Sequence, residues 1–203
     1  MANTSRINGF KIVGAAHGSP ASSRIAMYYV ASAADEILVG DVAKLASTAD
    51  ADGIPGADLC GATDVPIGIV VGIVNSKLLP NGKLSTGAIT LDSPASQQIA
   101  AGASGYILVN TDPDIILEVE AANGIPAIAD IGLNVSHANG IRTSSTLISP
   151  AYIDMGTGAT TSTLNFNLRG FKQAPDNEVG ASAKMIVAFN VHQFKSVGTA
   201  GIA

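Results

Sequence analysis

The chain has 203 residues, 47% of them hydrophobic, 4% aromatic and 13% charged, with 11 Lys and Arg against 16 Asp and Glu and a formal net charge of -5. That charged share is about half the usual figure of roughly 25%, and the acidic balance excludes the basic stripe that nucleic-acid recognition requires. The apolar content excludes intrinsic disorder, so the chain reads as a folded unit whose weakly charged exterior invites association.

Residues 1–25 carry few apolar side chains among Ser, Asn, Gly and Ala, and read as an extended arm ahead of a single β-rich domain over 26–203. Phe10 to Val13 is a candidate strand within the arm. The N-terminus lacks the apolar stretch of a secretory signal. The most hydrophobic run, Val65 to Val74, is interrupted by Pro66, Gly68 and Gly72, and it is about half the roughly twenty residues that cross a membrane. A soluble chain is expected.

Beyond the arm the hydrophobic period is two. Ala26 to Val30, Ile37 to Val39, Val42 to Leu45, Ile67 to Val74, Tyr106 to Val109, Ile115 to Glu120 and Asp130 to Val135 are short strand candidates punctuated by Gly, Pro, Asn and Asp. In Thr163 to Arg169, Leu164, Phe166 and Leu168 alternate with Asn165, Asn167 and Arg169, the pattern of a half-buried strand. Lys184 to His192 is apolar on both faces and reads as a central strand, joined to its predecessor by a long loop through Pro175-Asp176-Asn177. The pattern predicts a mainly antiparallel all-β fold, a jelly-roll-like sandwich or barrel of about eight short strands. Helix is expected only at Ser93 to Gly102, where Ser precedes Pro and Gly follows. No repeat of solenoid period is visible.

Catalytic and metal motifs are missing. Cys60 is the only cysteine, which excludes an intrachain disulfide and reads as a buried structural thiol. His17, His137 and His192 are far apart and read as surface or hydrogen-bonded histidines. Gly102-Ala103-Ser104-Gly105 fails the spacing of a nucleophile elbow. Asn81-Gly82-Lys83 lacks the glycine and hydroxyl of a phosphate loop and reads as a turn. Asp50-Ala51-Asp52-Gly53 echoes a calcium loop, but Leu59 stands where a bidentate Glu is needed. Asp112, Asp114, Glu118 and Glu120 are close enough in sequence to hold a cation, or to repel one another unless solvated, and the solvated cluster is the simpler reading. No enzyme and no cofactor are expected. A cupin-like metal enzyme in particular would need clustered histidines with a Glu.

Several segments resemble tailed-phage head proteins. They are the opening Met-Ala-Asn with Gly9-Phe10, then Gly40-Asp41-Val42-Ala43-Lys44-Leu45, Asp52-Gly53-Ile54-Pro55 and Gly68 to Ile73. Tyr106 to Asp114, Ala159 to Leu164, Pro175 to Lys184 and Asn190 to Phe194 complete the set. The likeness is to capsid cement or decoration proteins, which sit on the outer face of an HK97-type shell. It implies a structural virion protein, made in the host cytoplasm, that clamps adjacent major-capsid subunits against the pressure of packaged DNA. Its implied partners are the major capsid protein and further copies of itself, as a dimer or trimer, with neither nucleic acid nor membrane. The residues singled out for shell contact are Arg6 and Phe10 in the arm, and Arg169, Phe171, Pro175 and Asp176 in and before the long loop. Removing residues 1–12 is expected to leave a folded protein with reduced shell occupancy. The alternative is a receptor- or glycan-binding β-module on the virion surface, for which Tyr28-Tyr29 is the one adjacent aromatic pair.

Overall fold

The computed structural model describes residues 3–16, 18, 24–74, 98–142, 147–195, 198 and 201. His17, the turn at Asn81-Gly82-Lys83 and the first part of the expected helix, Ser93 to Gln97, lie outside them. The strands in chain order are β1 (Lys11–Ala15), β2 (Ile25–Val30), β3 (Ile37–Leu38), β4 (Val42–Ala49), β5 (Pro55–Leu59), β6 (Pro66–Val74), β7 (Gln98–Ile99), β8 (Gly105–Asn110), β9 (Ile115–Ala122), β10 (Asn134–Ala138), β11 (Tyr152–Ala159), β12 (Phe166–Phe171) and β13 (Lys184–Phe189). The all-β expectation holds, with more strands than the eight or so anticipated. Gln98-Ile99, expected at the end of a helix, is instead strand β7, paired with β3.

The barrel form is realised twice. Strands β2-β5-β4-β6-β8 close into one barrel, and β9-β11-β10-β12-β13 return to β9 through the β9–β13 pairing to close a second, with β1 added to the β9 edge. The connectivity of the two rings is the same. In each, the first strand runs parallel to the third, β2 with β5 and β9 with β11, and every other pairing is antiparallel.

Registers match as well. Tyr28 faces Ile107 as Val119 faces Met185, and Val70 faces Val109 as Leu168 faces Val187. Val42 faces Ile69 as Asn134 faces Asn167, and Lys44 faces Asp58 as Ser136 faces Asp154. The ladder slips between Val70 and Gly72 in one barrel and between Leu168 and Gly170 in the other. Gly40 (φ 94°) donates to Val70 O at 2.8 Å while Val70 N donates to Asp41 O at 2.9 Å. Gly132 (φ 99°) and Leu168 repeat that exchange, with Leu133 O accepting, at 2.9 Å each way. Positive φ at both turns is a conformation glycine adopts without a Cβ clash. The chain thus builds one barrel design twice, with a repeat about half its own length and so outside solenoid periods.

Inward positions fill two cores. Tyr28, Val30, Ala43, Ala57, Val70, Ile107 and Val109 pack in the first barrel, and their counterparts Val119, Ala121, Val135, Ile153, Leu168, Met185 and Val187 pack in the second. Val42, Cys60 and Ile69 of the first barrel belong to the second barrel's cluster, so the seam between barrels is itself apolar core. Each fully buried aliphatic side chain contributes about 1.5–3 kcal/mol.

The N-terminal segment is part of this structure rather than a free arm. Phe10 is 3% exposed and stacks on Phe166 with ring centroids 4.8 Å apart, and β1 pairs antiparallel with β9. The composition of residues 1–25 suggested an arm because one buried Phe and one short strand hardly register among its small polar residues. Their burial comes from surfaces supplied far along the chain.

Candidate functional site

The sequence-selected contact residues divide in two. Arg6, Pro175 and Asp176 come together at a cleft of about 510 Å³, walled by the N-terminal segment, Glu118 of β9 and the β12–β13 loop. Arg169 is exposed on β12. Phe10 is corrected from contact residue to core residue, and Phe171 is half-buried and packs against the second-barrel core. Their places in the N-terminal segment and at the start of the long loop suggested contact, but both side chains turn toward the second core.

Asparagines hold the cleft walls. Asn177 Nδ2 donates to Lys172 O at 2.8 Å and Lys184 O at 3.0 Å, and its Oδ1 accepts from Lys184 N at 2.7 Å, tying the two ends of the loop together. Asn3 does the same between the N-terminal segment and the loop, donating to Glu178 O and Ala181 O and accepting from Glu178 N. Lys184 pairs with Glu120 at 2.9 Å and Lys172 with Glu118 at 3.0 Å. Glu120 also accepts from Ser5 Oγ and Arg6 N, each at 2.7 Å, while Lys184 Nζ donates to Arg6 O. The side chains of Arg6 and Lys11 remain on the rim as exposed cations.

The four acidic residues of the Asp112–Glu120 stretch are each matched by a different cation. Asp112 lies 3.7 Å from Arg24, Asp114 3.5 Å from Lys195, and Glu118 and Glu120 have their lysines. Among the described residues no group of three or more His, Cys, Asp or Glu converges as a metal cage.

Other titratable groups cluster at the seam between barrels. Arg142, in the β10–β11 loop of the second barrel, forms a bidentate pair with Asp41 of the first at 2.8 and 2.9 Å, and donates to Glu36 O at 2.7 Å. Asp41 is fully buried and also accepts from Leu38 N and Ser149 Oγ. His137 Nε2 donates to Cys60 O at 2.9 Å, Asn139 Nδ2 to the same oxygen at 3.0 Å, and Gln193 N to Pro66 O at 2.8 Å. His137 Nδ1 is buried without a partner. His192 Nδ1 accepts from Phe194 N at 3.1 Å, while its Nε2 lies near the Ile67 backbone without closing a hydrogen bond.

Burial lowers the pKa of both histidines, that of His192 to about 4. Burial and the nearby Asp64 push the Cys60 thiol up to about 12. Asp64 goes the other way: the hydrogen bond from Lys44, then that from Gly61 N, lowers its pKa. A thiol raised so far is not a nucleophile, and Ser149 meets a carboxylate with no imidazole between them. The hydrogen bonds and the Arg142–Asp41 pair tie the two barrels together across this seam.

Sequence reasoning missed the Asp41–Arg142–Ser149 group and a set of exposed isoleucines. Ile125 (72% exposed) and Ile128 (73%) lie in the β9–β10 loop, and Ile141 (88%) and Ile148 (57%) in the β10–β11 loop. Three of the four stand next to Gly, Pro or Ser (Gly124-Ile125-Pro126, Gly140-Ile141 and Ile148-Ser149), outside any period-two run, which is the signal that marks them. Compared with known proteins, the chain matches no family model, no curated protein and no solved structure.

Proposed function

We propose that this chain is a structural protein that binds the outer face of a phage shell and clamps neighbouring capsid subunits, as its motif resemblance to cement proteins implies. The observation that carries the reading is the pairing of two closed, well-packed barrels with large exposed isoleucines on the loops of the second one. Ile125, Ile128, Ile141 and Ile148 place apolar area in water that only a partner surface would cover. Arg142 beside Ile141 and Ser149 beside Ile148 are both held by the buried Asp41, so little ordering cost accompanies the docking of these two isoleucines. The cleft at Arg6, Pro175 and Asp176 adds a polar contact with mixed charge. Modest contacts suffice where one copy bridges several subunits, because the second forms at high effective concentration. The net charge of -5 disfavours contact with the packaged DNA.

The test is a copy count. Quantitative mass spectrometry of purified heads is expected to find hundreds of copies per particle, and absence from assembled heads would refute the reading.

Receptor or glycan binding is the second reading, and one observation favours it. Tyr28 is buried, whereas Tyr29 turns outward and meets Tyr106 with ring centroids 5.4 Å apart. The rings are tilted by 46° and Tyr106 OH is bound to Asp50 at 3.1 Å, so the pair offers a sugar less than a flat platform would. A glycan array separates the two readings.

A further inference from the structure

The two barrels differ at one strand edge. In the second, β1 covers the edge of β9 that β11 leaves free, with Lys11 opposite Glu118, Ile12 opposite Leu117, Gly14 opposite Ile116 and Ala15 opposite Ile115. The shared register makes Arg24, Ile25, Ala26 and Met27 the counterparts of those β9 residues. On that side of β2, β5 joins only at Tyr29, and no strand among the described residues pairs with Arg24–Met27. Thr111 N donates to Arg24 O at 2.9 Å, which turns the Arg24 carbonyl toward β8. Alternation along the strand then points the N–H and C=O of Ile25 and Met27 to the open side. Ile25 is 44% exposed.

The chemistry of this edge says what fits it. From Ile25 to Val30 there is no charge and no proline, and Arg24 ahead of them lies 3.7 Å from Asp112, so among the described residues only that charge and the shortness of the stretch guard the bare edge from pairing. Where β9 presents Glu118 to Lys11, β2 presents Met27, so an occupant needs an apolar residue there instead of a cation. The open stretch is short and closed by β5 at Tyr29, which suits a free-standing extended arm and obstructs an internal strand of another barrel. The chain's own β1 is already committed to β9.

We propose that the Arg24–Met27 edge of β2 takes up an extended, mainly apolar terminal arm of a shell subunit, antiparallel, as β1 is taken up by β9. Main-chain hydrogen bonds give such a strand its affinity and the alternate side chains its selectivity. The identity of the donor rests on the shell-binding function proposed above; the open edge does not.

Hydrogen–deuterium exchange at the Ile25 and Met27 amides tests both parts. In the free protein these amides are expected to exchange at least about tenfold faster than the Ala26 and Tyr28 amides, which face β8, and on purified heads they are expected to slow to the same level. Met27→Pro removes one edge donor without touching the β8 ladder and is expected to lower head affinity by about tenfold or more. Ile25→Lys, an edge guard at an exposed position, repeats the test where proline impairs folding. Slow exchange of both amides in the free monomer would show the edge already paired and overturn the proposal, as would protection that rises with the free protein's own concentration. Head binding with the two amides still fast and both variants at full affinity sinks the arm while leaving the shell function intact. No binding to heads removes both.

Discussion

Gly68 of the first barrel and Phe166 of the second occupy the same place in the same ladder: Gly68 faces Ala43, and Phe166 faces Val135. Phe166 fills the second core between Phe10 and Phe189, with ring centroids 4.8 and 5.1 Å away. At Gly68 (φ 150°) a Cβ would lie 1.9 Å from Asn110 O, because β8 presses against β6 there. One topology therefore admits a large aromatic or nothing, according to how closely the neighbouring strand approaches. The backbone hydrogen-bond pattern specifies the barrel, and packing decides which side chains it holds.

The largest effect that would break the comparison is expected at that pair. Gly68→Ala should cost more than about 4–5 kcal/mol, the range reserved for outright steric conflict, and urea denaturation should find the variant largely unfolded. A truncation lacking residues 1–12 removes Phe10 and part of β1, stripping the second barrel of what the first does without. It should lose at least the roughly 3–5 kcal/mol of a buried Phe, read as a lower urea midpoint, in contrast to the intact fold expected from composition.

Arg142→Ala leaves the buried Asp41 without its counter-charge, held only by Leu38 N and Ser149 Oγ, with an expected loss of about 3–5 kcal/mol. Because Arg142 and Asp41 belong to different barrels, calorimetry of this variant should split one transition into two.

Acid should act on the same seam more gently. His192, facing Lys195, Asp112 and Asp114, has a folded pKa of about 4, below the unfolded value near 6.5. The unfolded chain therefore binds the proton first. The stability tied to its neutral form is complete above about pH 6.5 and declines as the pH falls toward 4, by about 3 kcal/mol for this group. His137, facing Asp41, Asp64 and Arg142, shifts in the same direction and adds to the decline. A denaturation series from pH 7 to 4 checks the slope, and His192→Phe should flatten it.

The smallest effect sharpens the likeness between barrels. Gly170 sits at the bulge that Gly72 marks in the first barrel, with nothing within 4 Å of an added Cβ. Gly170→Ala should raise stability by about 0.4–1 kcal/mol through the unfolded state, a small upward shift in melting temperature.

Legibility in the sequence followed locality. Strands β12 and β13 announce themselves because Phe166, Leu168, Met185, Val187 and Phe189 alternate cleanly into one core. Asn165 was expected on the outer face and is buried, its Nδ2 donating to Asp64 O at 2.8 Å across the seam, a partner no local pattern names. Strands β5 and β11, Pro-Gly-Ala-Asp-Leu and Tyr-Ile-Asp-Met-Gly-Thr-Gly-Ala, are missing from the strand candidates because they lack a clean period-two run and carry turn residues. They are strands because each closes its ring against a parallel partner. At Gly56 a Cβ would come within 2.4 Å of Thr48 O, so glycine there permits the close approach of β4 and β5. Of the contact residues, Arg6, Pro175 and Asp176 could be chosen from exposure-prone chemistry, but the cleft that unites them depends on Asn3 and Asn177 bridging distant backbone.

By itself the sequence determined an all-β chain with a weakly charged, acidic exterior and a thiol fit only for burial, since alternation and composition act residue by residue. Tertiary structure alone decided that the strands form the same barrel twice, that Phe10 completes the second and that the matching edge of the first lies open among the described residues. Ring closure joins strands far apart in the chain, and the backbone groups that make those bonds are the same whatever side chains they carry.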